Sequence, residues 1–420
     1  MGIGRQWGQC ATSAGQLWEA IKREIRAQCS ETDYSEASSP DGVADFRHTL
    51  LTEFALKEGI TDPGTLLGIY YGEIAEPTQG CRRCATLPPS SLHSQLHKLH
   101  HDNAVLFKGL RKPRAYCVDS CDVVIGMHRL LSLRLSNQDH FCGRLAEAFG
   151  RLLENLTRPM VAAFCLLGAL CPVPVPAFAR DLHERFIEAR PKRRGIIFRG
   201  PFNTGKTTLA SSICQLWGGC FLNPNCPLER LGFELGGAID KRLCLFEDVL
   251  GSSRGDLPGG LGFRNLDQLR DHLDGCVPVG LERKHANKIV QVFPPWLLTC
   301  NEYNVPPSVQ KRAITYGFAE KASLCIDQFT DRHDVSLAFL SSGDCFAGML
   351  AAHLPPENFV GELQPQAKEI KLMCEENGLY ELRDNLFHPE QEEADLYCSE
   401  EMPSSSDEDE PPAKAARREN

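Results

Sequence analysis

The chain has no excess of positive charge: 45 Lys and Arg stand against 55 Asp and Glu, a net of −10 in 420 residues. Bulk attraction for nucleic acid or an anionic membrane is thereby excluded, and any such site must be a local basic patch. The acid is concentrated at one end. Residues 390–420 hold eleven acidic and three basic side chains, a sum of −8, which leaves −2 for the 389 residues before them.

An apolar run long enough to cross a bilayer is also missing. Pro159–Ala179 carries no formal charge over 21 residues. Pro172, Pro174 and Pro176 break it, and the remaining Met160–Cys171 falls short of the ~20 residues a spanning helix needs. A buried helix is expected there, with no membrane partner. No apolar signal segment follows Met1, and no internal repeat is present. The 19 cysteines are odd in number and scattered singly apart from Cys81-x-x-Cys84 and Cys117-x-x-x-Cys121. They fit small core residues in a reducing compartment.

What is present is a phosphate loop. Gly200-Pro201-Phe202-Asn203-Thr204-Gly205-Lys206-Thr207-Thr208 matches G-x-x-x-x-G-K-[ST]. Strand-like Ile196-Ile197-Phe198 precedes it and helix-like Leu209–Ile213 follows, which is the context the motif requires. Glycines let backbone N–H groups close around phosphate oxygens, and the helix N-terminus favours the anion. Lys206 then reaches the β- and γ-phosphates and Thr207 ligates Mg²⁺, so a nucleoside triphosphate is the expected ligand.

Two further apolar runs end in polar residues suited to the same site. Leu243–Phe246 ends in Glu247-Asp248, where P-loop ATPases place an Asp that holds Mg²⁺ and a Glu that orients the attacking water. Trp296–Cys300 ends in Asn301, suited to sensing the γ-phosphate. In a parallel sheet all of these arrive at one carboxyl edge. By spacing alone, Arg312 and Arg270 are both candidates to neutralise charge on the γ-phosphate.

Cys81 and Cys84 are followed by His93-x-x-x-His97, then His100 and His101. Two thiolates on a turn and two imidazoles one helical turn apart suit tetrahedral Zn²⁺ as a structural staple, with His100 the alternative ligand. Val277–Phe293 has two β-rich arms around Arg283, Lys284, His285 and Lys288, a basic tip able to hold phosphates with little sequence preference.

The organisation follows. Residues 1–40 form an N-terminal extension, 41–140 a helical zinc domain and 141–187 a helical segment packing on the ATPase. Residues 188–320 alternate β-rich and helical runs, the mark of an α/β core with a mainly parallel sheet. Residues 321–387 are helical again. Residues 388–420, rich in Glu, Ser and Pro, read as a disordered acidic tail.

Taken together, these segments resemble the helicase portion of polyomavirus large T antigens, superfamily 3 viral helicases with an AAA+ ATPase core. The resemblance rests on Gly200–Thr208, Leu228–Leu235, Phe246–Val249, Asn265–Gly275, Lys284-His285, Phe293–Pro295 and Asn301–Pro306, within coverage of roughly 40–325. It implies a homo-hexameric ring that hydrolyses ATP and draws single-stranded or forked DNA through its channel. Lys206, Thr207, Asp248 and Asn301 would act in cis. Lys192 and Arg312 would reach the neighbouring ATP in trans, with Arg270 lining that interface. Lys284 and His285 would tip the channel hairpin, with Phe233 also facing DNA, and the zinc module would help subunits assemble.

The tail resembles another part of the same family. Leu396, Cys398 and Glu400 spell L-x-C-x-E, the motif that binds retinoblastoma-family host proteins, ahead of serines that precede acids. Lys414, Arg417 and Arg418 fit a sparse nuclear import signal, so the host nucleus is the expected location. The order departs from the family, where this tract precedes the helicase. His388-Pro389-Glu390 is not the His-Pro-Asp of a J domain, and the ~40 residues ahead of the zinc module are too few for an origin-binding domain. A separate origin-recognition protein is therefore expected. The residues also leave open a P-loop ATPase that does not unwind DNA, and a protein whose main task is sequestering host cell-cycle regulators.

Overall fold

The computed structural model describes residues 45–252, 257–282, 288–319 and 326–387. Lys284 and His285, like Leu396, Cys398 and Glu400 of the tail, lie outside these described residues.

The chain begins with α1 (His48–Glu58), α2 (Pro63–Gly68), α3 (Arg82–Thr86), α4 (Leu92–Lys108) and α5 (Pro113–Arg134). Leu51, Phe54, Tyr70, Phe107, Cys117, Cys121 and Val124 give these helices an apolar core of their own. Cys117 and Cys121 lie four apart on α5 and are fully buried, as small apolar residues on one helix face should be.

Helices α6 (Asn137–Asn155), α7 (Arg158–Leu170) and α8 (Val175–Leu182) follow. The charge-free segment 159–179 runs through most of α7 into α8, and the chain bends by 76° between Arg158–Leu170 and Val175–Glu188, where Pro172 and Pro174 interrupt the backbone. No single helix among the described residues is long and apolar enough to cross a membrane. Instead α7 is buried by helices from the far end of the chain. Among α14 (Ile326–Arg332), α15 (Leu337–Leu340), α16 (Gly343–His353), α17 (Gln364–Glu376) and α18 (Leu379–Phe387), α16 and α18 lie against α7 and α17 lies against α6. Residues 141–187 and 329–386 thus share one core, two segments that the sequence reading had kept apart.

Between them lies the α/β P-loop core. Its strands are β1 (Gly195–Arg199), β2 (Cys220–Leu222), β3 (Cys244–Phe246), β6 (Trp296–Cys300) and β7 (Ala313–Gly317), all parallel in the order β2-β3-β6-β1-β7. Strands β4 (Pro278–Leu281) and β5 (Ile289–Val292) pair only with each other, antiparallel. Helices cover both faces of the parallel sheet, so β3 and β6 are buried on both sides and read as apolar runs, interrupted only by Thr299 in β6. Alternation still sorts the faces: Ile196 and Phe198 join the helical layer, while Ile197 joins Trp296, Leu298 and Phe246 on the other side.

The remaining helices are α9 (Lys206–Leu216), α10 (Leu228–Leu235), α11 (Gly262–Gln268), α12 (Arg270–Asp274) and α13 (Pro307–Gln310). Trp296 ties α12 to the sheet. Its indole is fully buried against Gly195 and donates from Nε1 to the Leu273 carbonyl at 3.2 Å. Trp296→Ala therefore removes apolar contact and one hydrogen bond, and we expect a cost of about 3–5 kcal/mol. Leu372→Ala, at a half-exposed position, should stay within about 0.5 kcal/mol. Denaturant unfolding of both variants measures the difference.

Candidate nucleotide site and metal centre

The phosphate loop leaves the carboxyl end of β1 and closes on the N-terminus of α9. Gly200 passes so close to Phe318 that a Cβ would lie 2.1 Å from its carbonyl oxygen, and Gly205 caps α9 at φ 81°. Only glycine fits the first position, and the second lies in the left-handed region that favours it. Lys206, the first residue of α9, is 7% exposed. Its ammonium turns back into the loop and donates to the carbonyls of Gly200 and Pro201 and to Thr204 Oγ1. Burial pushes its pKa down, with Cys300 and Asp248 opposing. Thr207 stands exposed beside it, as do Phe202 and Asn203.

Asp248 is held by three separate contacts. It has φ 44°, a left-handed turn directly after β3 and Glu247. Its N–H donates to Thr299 Oγ1 at 2.9 Å, its carbonyl accepts from Asn225 Nδ2 at 2.9 Å, and its carboxylate accepts from Asn301 Nδ2 at 3.1 Å. Asn225 is steadied in turn, because buried Asn265 donates to the carbonyls on either side of it, Pro224 and Cys226. Lys206, Thr207, Glu247, Asp248 and Asn301 thus share the carboxyl edge of the sheet. A loop lysine and hydroxyl opposite a carboxylate suit a Mg²⁺–triphosphate, and Asn301 is buried and aimed at that carboxylate.

Sequence reasoning missed Thr299, Asn225 and Asn265. Thr299 carried a signal, being a polar residue inside a strand that is otherwise apolar and buried. The two asparagines act on backbone groups and carried none.

Lys192 and Arg312 are elsewhere. The Gly195 N–H donates to the Arg312 carbonyl at 3.3 Å, and the Lys192 N–H donates to the Asp274 carbonyl at 2.9 Å. Both therefore sit at the amino edge of β1 and β7, about 16 Å of strand away from the protomer's own loop. The Arg312 guanidinium forms a two-pronged ion pair with Asp274 and also donates to the Ser308 carbonyl. One residue, Asp274, thus fixes Arg312 through its side chain and Lys192 through its backbone. Arg270 projects nearby from α12, 62% exposed, and touches Asp267. Phe233 is half exposed on α10.

The Cys/His cluster forms a second site. Cys81 precedes α3, Cys84 lies within it, and His93 and His97 are one turn apart on α4, whose Ser91 N-cap accepts from Ser94 N–H. Their four donor atoms lie within 4.8 Å of one another. His93 Nε2 faces Cys81 Sγ at 3.4 Å, and His97 Nδ1 faces Cys84 Sγ at 3.3 Å. His97 donates its other ring nitrogen to the Glu76 carbonyl at 2.6 Å, the outer contact that orients a ligating imidazole. Burial pushes the Cys84 thiol up and the His93 imidazole down. Two sulfurs and two imidazole nitrogens at this spacing fit a tetrahedral soft cation. His100 lies further along α4, edge-on to Phe54 and Tyr70, where burial pushes its pKa down to about 4.

Comparison with known proteins agrees with this geometry. The family model described as the polyomavirus large T antigen C-terminus matches residues 44–372. The chain is 41% identical to the large T antigen of bovine polyomavirus over 306 residues, which is 70% of this chain and 48% of that one. It is 38% identical to the large T antigen of hamster polyomavirus over 339 residues, 76% of this chain and 43% of that one. It thus spans about half the length of the curated relatives it matches. An X-ray structure of JCV helicase superposes with a TM-score of 0.71 at 30% identity, covering 82% of this chain and 98% of that one. The chain belongs to the polyomavirus large T antigen C-terminal family.

Proposed function

We propose that the chain is a replicative DNA helicase of a polyomavirus, an ATP-hydrolysing homo-hexameric ring that moves along single-stranded or forked DNA. One observation carries the reading. The groups that hold a triphosphate lie at the carboxyl edge of the sheet, whereas Lys192 and Arg312 lie at the opposite edge, out of reach of the same pocket. They meet a γ-phosphate only when a second protomer presents its amino edge to the first one's loop.

Lys206 exchanges its carbonyl partners for phosphate oxygens. Thr207 and Asp248 would hold Mg²⁺, which would supply charge neutralisation at the phosphates. Glu247 orients the attacking water and Asn301 fixes Asp248 while sensing the terminal phosphate. Arg312 of the adjoining protomer, aligned by its own Asp274, faces the charge that develops as the phosphate leaves, with Lys192 and Arg270 alongside. Hydrolysis shifts the β4–β5 hairpin, whose tip carries Lys284 and His285, along the strand that Phe233 also faces.

Shared pockets make a specific demand on mixtures. Lys206→Ala and Arg312→Ala should each lower ATP turnover by about 10³-fold or more. Mixed in equal amounts, they should regain activity, because about a quarter of the interfaces then combine an intact loop with an intact finger. Strand displacement by the mixture completes the test. A mixture no better than its components removes the trans finger, and ATP turnover without unwinding favours a non-unwinding ATPase.

The Cys/His site is read as structural Zn²⁺ supporting assembly. Elemental analysis of the purified chain should give about one zinc per protomer. Cys84→Ser, or prolonged chelation, should remove it and lower both the melting temperature and the hexamer fraction, whereas Cys276→Ser at an exposed position should change neither. Full zinc occupancy in Cys84→Ser would contradict the ligand assignment.

Leu396, Cys398 and Glu400 are read as a motif for retinoblastoma-family host proteins, and Lys414–Arg418 as directing the chain to the host nucleus. Cys398→Gly should abolish capture of a purified retinoblastoma pocket domain and leave ATP turnover intact. Equal capture by both chains would dismiss the motif.

A further inference from the structure

The root of the β4–β5 hairpin is fixed by an unusual polar contact. A two-stranded ribbon is marginal by itself, and here Val279 and Leu281 of β4 face the core while Val290 and Val292 of β5 are 67% and 46% exposed. On the β5 side Ile289 packs against the edge of that core, and Gln291 adds a polar anchor. Its Oε1 accepts from the Asp240 N–H at 3.1 Å and its Nε2 donates to the Ala238 carbonyl at 3.0 Å. One amide therefore reads a donor and an acceptor on the 238–240 turn, as a neighbouring strand would.

That turn is gripped from the other side by the N-terminal helices. Asp240 has φ 62°, a left-handed backbone that points its carboxylate outward to Arg129 of α5. Arg129 donates from Nε at 3.0 and 3.1 Å and from Nη2 at 2.8 Å, the fork geometry that makes arginine–carboxylate pairs directional. Two residues on, Arg242 donates to Asn137 Oδ1 at 3.0 Å and to the Leu135 carbonyl at 2.9 Å, at the junction of α5 and α6. A continuous chain of polar contacts thus runs from α5 through Asp240 to the middle of β5.

We propose that Gln291, Asp240 and Arg129 are positioning residues that tie the hairpin root to α5, so that displacement of the hairpin during hydrolysis is transmitted against the N-terminal helices. The proposal rests on the reading of the chain as a DNA-moving ATPase. None of the three residues touches nucleotide. Loss of the tie therefore uncouples turnover from movement and leaves turnover itself intact.

The test compares full-length wild type with Gln291→Ala, Arg129→Ala and the double variant, each assembled with ATP and forked DNA. Base pairs unwound per ATP should fall at least about fivefold in each single variant, with no further fall in the double, because contacts in one chain are not additive. ATP turnover without DNA should stay within about twofold and the melting temperature should be unchanged, which a merely structural role would not allow. Hydrogen exchange supplies an independent reading. Arg129→Ala should speed exchange at residues 288–292, although it lies on another element. Wild-type coupling in either single variant, fully additive losses, or unaltered exchange at 288–292 overturns the tie. A wild type that hydrolyses ATP without moving DNA overturns the underlying reading, and the proposal with it, on the evidence of the wild type alone.

Discussion

A parallel sheet has two chemically distinct edges, and this molecule is organised by that fact. Every strand of the five-stranded sheet runs the same way, so whatever follows a strand gathers at one edge and whatever precedes one gathers at the other. The phosphate loop, Glu247-Asp248 and Asn301 follow strands. Lys192 and Arg312 precede them. Helical layers bury both faces, so neither group of polar residues has a route through the sheet to the other. On the proposed reading each edge carries half of a phosphate site, so one chain would not complete it alone, and the same constraint would set the orientation of the neighbour that does.

Each edge is also prepared in advance. A buried ammonium without partners would be costly, but Lys206 has loop carbonyls in place of phosphate oxygens. Arg312 likewise has the Asp274 carboxylate and the Ser308 carbonyl. In both cases oxygen ligands hold the cation in a fixed direction; those of Lys206 are neutral and leave its charge uncancelled, whereas Asp274 offsets the charge of Arg312 while aligning it. Asp248 shows the same economy with opposite sign, its turn fixed by Thr299 and Asn225 and its carboxylate by Asn301. Fixed dipoles of this kind need little reorganisation when charge develops beside them, which is the main source of electrostatic rate enhancement.

The carboxyl edge was legible in the sequence because its chemistry is local. A glycine-rich turn between an apolar run and a helix announces itself, and Asp248 and Asn301 each end a short apolar run despite lying 53 residues apart. The amino edge was not. Lys192 and Arg312 precede their strands, in segments where a basic residue is ordinarily just solvated; spacing made Arg312 no better a candidate than Arg270, and only likeness to a family singled out Lys192. Asp274 was passed over because it reads as the unremarkable last residue of a helix before Gly275. The choice between His97 and His100 could not be read from spacing either, since they lie one and two turns from His93 along the same side of the helix. Phe54 and Tyr70, 46 and 30 residues upstream of His100, decide it by enclosing His100. The union of 141–187 with 329–386 was hidden for a related reason: an apolar stripe shows that a helix face is buried, not which helix buries it.

That union bears on how force travels. The helices after residue 326 share an apolar core with α6, α7 and one face of the sheet, and such close-packed contact resists sliding. They must move with the ATPase body. The helices of residues 48–124 keep a separate core, and Arg129, Asn137 and the Leu135 carbonyl meet the 240–242 turn through hydrogen bonds and an ion pair. Polar joints between domains are the kind that break and re-form as domains move. The fold thus fuses its far end to the P-loop core by apolar packing and joins its near end to the 240–242 turn by directed polar contacts. The attachment falls at the turn that also receives Gln291 from the hairpin. If the hairpin does work on DNA as proposed, it needs both a rigid body behind it and a separable body in front, and the distribution of apolar and polar contacts would supply one of each.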